Sequence, residues 1–200
     1  MTTPQQSDEW QRLSSAASLA DIVARNVVDF APIPISDAIP RDGGTLIIPA
    51  GCHRAAPGDN VEQPARVAVT GHRSRGGWEG CDTLGVFCFT GISPEEIVVD
   101  RAACTLQDLC ASGVTTRALS TPLMPGVCAV RSAGYFTAAR LRMWAQFTTY
   151  VAGFESPAMG RLIQHSLFVT TQRRTQLRMD IAYLSDSVHA AFCAMLDGRR

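Results

Sequence analysis

A chain of 200 residues with 46% hydrophobic content is long enough to bury a core, so a globular domain is expected. Its 18 basic and 18 acidic residues cancel, leaving no net field to draw it onto nucleic acid or an anionic membrane. Every basic residue is arginine, which excludes Schiff-base, phosphate-loop and kinase-type lysine chemistry.

The opening residues, MTTPQQSDEWQRL, are polar and show neither a secretory signal nor a lipidation cysteine. Residues 7–29 then predict a helix, with Trp10, Leu13, Ala17, Ile22 and Val23 at helical spacing and Ser7 and Asp8 available as caps. Prolines 32, 34 and 40 and the pair Gly43-Gly44 break the chain after it. The expected organisation is an N-terminal helical arm (1–30), a Pro/Gly-rich link (31–44) and a single α+β domain (45–200).

Within that domain, TLIIPAG, ARVAVTG and LGVFCFTG read as strands. SPEEIVV suits a helical turn or a strand. TLQDLCASG reads as a short helix that Gly113 stops in the left-handed region. From Arg140 to Val151 the residues alternate: Leu141, Met143, Ala145, Phe147 and Val151 share one side, Arg140, Arg142, Trp144, Gln146, Thr148 and Tyr150 the other. RLIQHSLFVT continues as a strand. After the turn QRRT, the alternation of Leu177, Met179, Ile181 and Tyr183 predicts one more, antiparallel to its neighbours. A last helix is expected from Ser185, as N-cap, to about Gly198; Val188, Ala191, Phe192, Met195 and Leu196 form the stripe that covers the apolar sheet face.

Catalytic signals are sparse. There is no Gly-x-Ser-x-Gly elbow, GxGxxG or HExxH. His189 and Cys193 lie four apart and admit a metal half-site or a nucleophile–base pair, but zinc needs two further ligands and none has matching spacing. They are therefore read as residues flanking the buried stripe. His165, between Ile163 and Leu167, reads as a core histidine with a backbone partner. GHRSRGGWEG reads as a solvated loop, with an anion nest of Arg73, Arg75 and backbone amides as its alternative. No metal and no cofactor are expected. The candidate binding surface is the non-core sheet face carrying Arg140, Arg142, Trp144, Tyr150 and Arg178, residue types favoured at hot spots.

The segments PGVCAVRSAGYF, LRMWAQFTTYV, RLIQHSLFVTTQRRTQLRMDIAYL and SDSVHAAFCAMLDGRR resemble, in order and pattern, the second half of the PsbP-like fold. That superfamily includes the photosystem extrinsic subunit, the Ran-binding Mog family, mycobacterial LpqN-type lipoproteins and Eag-type secretion chaperones. The resemblance covers about residues 45–198 and implies an antiparallel sheet with helices packed on it. It also implies a non-enzymatic binding or adaptor role, with no functional residue carried over. LpqN-type proteins carry an export signal, which this start lacks.

Apolar runs such as LGVFCF are far shorter than the roughly 20 residues of a membrane-spanning helix. A cytoplasmic, non-enzymatic adaptor or chaperone-like protein with no membrane span is expected, its seven cysteines reduced. The expected partner is another protein, bound through the N-terminal arm or the sheet face, or a second copy of the chain; no nucleic acid is expected. The alternatives are a structural subunit of a larger bacterial or phage-encoded assembly, and a cysteine-dependent enzyme using Cys52, His53 or His72.

Overall fold

A computed structural model describes residues 15–39, 46, 48–49, 51–55, 64–71, 78–91, 94–138, 140–153 and 159–197. In chain order the elements are α1 (Leu19–Ala24), β1 (Val28–Pro32), α2 (Ile35–Ala38), β2 (Cys52–Ala55), β3 (Arg66–Thr70), β4 (Gly80–Thr90), α3 (Glu95–Asp100), α4 (Cys104–Asp108), β5 (Ser112–Ala118), β6 (Val127–Ala138), β7 (Leu141–Ala152), β8 (Gly160–Thr170) and α5 (Arg178–Asp197). They make an α+β fold around one open antiparallel sheet of eight strands, ordered β2-β3-β4-β8-β7-β6-β5. The outer edge of β4 is shared: β3 pairs its first half and β1 its second.

Both faces of the sheet are covered. On one side α5 lays Val188, Ala191, Phe192, Met195 and Leu196 on Leu84, Val86, Ala129, Tyr150 and Ile163, the stripe expected from its spacing. On the other, Leu19, Ala20 and Val23 of α1 and Val98 of α3 pack on Phe89, Val130, Val151 and Leu162. Leu106 of α4 joins Phe136, Ala145 and Phe147 beside them.

This assignment of faces corrects the expected one. Helix α5 lies over the Trp144–Gln146–Thr148–Tyr150 side of β7, and the short helices cover the Ala145–Phe147–Val151 side. Alternation along a strand separates two faces without saying which helix takes which. Here the larger aromatic side chains of the even-numbered face receive the longest helix: the Tyr150 ring sits 5.0 Å from that of Phe192.

Several element boundaries differ as well. The strand expected over 176–183 is instead the start of α5, which begins at Arg178 and not at Ser185. Leu177 and Ile181 fit both periods, but Met179 and Tyr183 are exposed, while Leu184, Ser185 and Val188 continue a buried helical stripe from Ile181. The expected helix over 7–29 is described from residue 15 onward only. There, Ser18 caps α1 through a capping box with Asp21, and Val28 already belongs to β1. Residues 19–39, expected as arm and link, contribute to the sheet and to both cores. No strand forms at the described residues of 45–51, where Leu46 packs on the core as coil. SPEEIVV becomes α3. The chain leaves α4 through Cys110 at φ 52°, before Gly113, which sits in the irregular start of β5. At Gly160 the Phe89 ring fills the place of a side chain: a Cβ there would lie 2.4 Å from it.

Candidate functional site

Under α5 the antiparallel register aligns one polar residue on almost every strand. Arg117 of β5 stands opposite Arg131 of β6, Arg131 opposite Thr148 of β7, and Thr148 opposite His165 of β8. His165 faces Leu84 of β4, and Leu84 faces Arg66 of β3. Asp82, two residues before Leu84 and so on the same face, connects the last two polar members.

The β3–β4–β8 end of this row is closed. The Asp82 carboxylate accepts from Arg66 Nε at 2.9 Å, with Arg66 Nη2 at 2.8 Å, and its other oxygen lies 2.6 Å from His165 Nε2. Burial lowers the His165 pKa against the opposing pull of Asp82, so the ring is neutral and donates Nε2–H to the carboxylate. Arg66 is 4% exposed, Asp82 2% and His165 0%, which makes this a structural knot without access for a ligand. His165 is thus a core histidine as expected, but its partner is the Asp82 carboxylate and not the backbone.

The β5–β6–β7 end is open. Between the first turns of α5 and these strands lies a cleft of about 460 Å³. Arg117, Arg131, Arg174 and Arg178 line it, with Trp144, Gln146, Ser185 and Asp186 among the remaining wall residues. Arg131 donates from Nε to Thr148 Oγ1 at 3.1 Å. The Arg174 guanidinium sits 4.8 Å from the Trp144 ring centroid and donates to the Tyr135 hydroxyl. Gln146 donates to Ser185 Oγ at 2.8 Å, tying the cleft floor to α5. Among the described residues no ion pair involves any of the four arginines.

The five residues expected to share an open face divide. Trp144 and Arg178 meet in the cleft. Tyr150 lies wholly beneath α5, where burial pushes its phenol up to about 12 despite the nearby Arg131 charge. Arg140 occupies the β6–β7 turn at φ 63°. Arg142 reaches away to Ser112 Oγ at 2.5 Å. Arg117, Arg131 and Arg174 join the site unanticipated, because only strand register and the docking of α5 bring them to it.

Among the described residues, the Cys193–His189 and Cys52–His53 pairs are not arranged for nucleophilic chemistry. Cys193 Sγ and His189 Nε2 stand 3.8 Å apart on α5. Burial, reinforced by Asp197, raises the thiol; burial, reinforced by Arg131, lowers the imidazole. At neutral pH both are uncharged, the opposite of an activated thiolate–imidazolium pair. Cys52 and His53 are consecutive in β2 and point to opposite faces, and burial raises Cys52 as well. His72 and the Arg73–Arg75 loop lie outside the described residues. Among the described residues no group of three or more His, Cys, Asp or Glu could hold a metal ion, and no helix is long and apolar enough to cross a membrane. All seven cysteines are unpaired.

The chain has the fold of LpqN. It aligns with the crystal structure of LpqN, a protein involved in cell envelope biogenesis of Mycobacterium tuberculosis, with a TM-score of 0.61 over 86% of this chain and 96% of that one. At 14% identity the likeness is one of fold alone, and at that level it bears out the resemblance to the LpqN-type fold. No family model and no curated protein matches the sequence.

Proposed function

We propose that this chain is a non-enzymatic binding domain of the adaptor kind, which takes up its ligand or partner at the cleft between α5 and strands β5–β7. One observation carries the reading: cationic and aromatic side chains converge there, with no cysteine or histidine among the lining residues described. Arginine and tryptophan on a concave surface are the residue types that dominate binding energy. The fold shared with LpqN supports a role in cell envelope biogenesis. The unpaired cysteines support a cytoplasmic location for it.

Native mass spectrometry of the full chain purified from its host tests the reading. A bound ligand or partner is expected on the unaltered protein and not on the Arg117→Glu/Arg178→Glu variant. Retention on that variant, with the fold intact, would exclude the cleft.

A second reading, a subunit of a larger assembly, is favoured by β5. It ends the sheet, and all seven of its residues are exposed, a strand edge open to further pairing. A monomer at all concentrations in native mass spectrometry would remove it.

A further inference from the structure

We propose that the cleft is a phosphate site, taking a small molecule or headgroup whose phosphoryl group is held by Arg117, Arg131, Arg174 and Arg178. The proposal rests on the cleft being the binding site and names the ligand chemistry.

The first argument is electrostatic. Arg117 and Arg131 are direct cross-strand partners, an arrangement of like charges that destabilises a sheet unless something lies between them. Arg174 and Arg178, four residues apart, face the same space, and among the described residues Asp186 is the sole acidic one lining it. Four positive charges against one negative leave an excess of three, of which a phosphate dianion offsets two and a single carboxylate only one.

The second argument is geometric. Two of the guanidiniums are already positioned: Arg131 by its bond to Thr148, and Arg174 by stacking on Trp144 and donating to Tyr135. Groups held in place before binding lose little entropy when a ligand arrives. Planar N–H forks approaching from several directions match the oxygens of a phosphoryl group. Arg117 and Arg178 are exposed and free to close on it.

The third argument is size. About 460 Å³ exceeds what a bare phosphate fills and falls within the range, roughly 300–1,000 Å³, of small-molecule sites. An organic body of modest size accompanies the phosphate, resting against Trp144 and Ile181.

Calorimetric titration of the full chain at fixed ionic strength tests this. The probes are inorganic phosphate, glycerol 3-phosphate and succinate, together with phosphatidylcholine vesicles with and without phosphatidic acid. Saturable binding of a phosphate probe is expected, with Kd raised at least tenfold by Arg117→Gln and by Arg178→Gln. Arg173→Gln, which removes an arginine paired with Glu79 outside the cleft, is expected to leave Kd unchanged. Binding of the soluble phosphates identifies a free phosphate compound. Binding only of phosphatidic acid vesicles, with the same response to the variants, identifies a lipid headgroup. Three results overturn the proposal: no saturable binding of any phosphate probe, equal binding by all variants, or succinate bound as tightly as phosphate. If phosphate fails while the Arg117→Glu/Arg178→Glu variant still loses a co-purified partner, the phosphate assignment falls and the cleft reading stands.

Discussion

The two ends of the polar row beneath α5 use the same residue type in opposite ways. At the β3–β4–β8 end, Arg66 is buried and shares the Asp82 carboxylate with His165. At the β5–β6–β7 end, Arg117, Arg131, Arg174 and Arg178 surround a cleft with no carboxylate paired to any of them among the described residues. A buried charge must find its counter-charge within the fold, because leaving water is otherwise too costly. A charge facing a cleft keeps its water and can wait for a ligand. Arginine at the closed end therefore serves the fold, and at the open end it is left unpaired among the described residues for the recognition proposed above.

The largest test of this contrast is Asp82→Ala, which strands Arg66 without a partner. A loss of about 3–5 kcal/mol is expected in urea unfolding; a loss below about 1 kcal/mol would mean that the knot contributes little. The next effect is one of pH. Burial holds His165 and His189 below the ordinary histidine value, so the unfolded chain takes up protons near pH 6.5 that the native chain refuses. Stability is expected to be level above that pH and to fall as pH drops through it, by at most about 1.4 kcal/mol per pH unit from the buried His165 and by less from the partly exposed His189, whose shift solvent screens. His165→Gln should remove part of that slope, as read from denaturation midpoints between pH 7.5 and 5.5; an unchanged slope would place the titration elsewhere.

At the open end the sign reverses. Arg117→Thr relieves like-charge contact with Arg131 and adds a good strand former, so stability should rise by about 0.2–1 kcal/mol while phosphate binding is lost. A loss of stability would show that Arg117 has a structural role. The smallest effect belongs to the exposed pair Arg173–Glu79, at 2.8 Å. Double-mutant cycles there should find no more than about 1 kcal/mol, decreasing with added salt.

Elements whose local pattern agrees with their surroundings were legible in the sequence. Strands β3, β4, β7 and β8 carry continuous or alternating apolar residues, and the stripe Val188–Leu196 has a single helical reading. The first turns of α5 were not legible, because Leu177 and Ile181 satisfy a two-residue and a four-residue period at once. Strand β5 is exposed throughout and leaves no apolar alternation, and β6 buries small residues such as Ala129 and Ser132 in place of large ones. Of the arginines and aromatics that line the cleft, Trp144 and Arg178 were named from the sequence and Arg117, Arg131 and Arg174 were not. The Arg173-Arg174 pair close to Arg178 was a local concentration of charge, but Arg117 and Arg131 enter only through their pairing.

The sequence by itself determined an α+β chain with an antiparallel sheet, a C-terminal helix whose apolar stripe must be covered, and an all-arginine set of cations. Those properties reside in side-chain period and chemistry, which are local. Tertiary structure decided which face α5 covers, which arginine gains Asp82, and which four meet at a cleft. Each depends on strand register and helix docking between residues far apart in the chain. His189 and Cys193 show the same division: their spacing put them side by side on one helix, and the docking of that helix leaves them partly buried at its flank, which lowers the imidazole and raises the thiol.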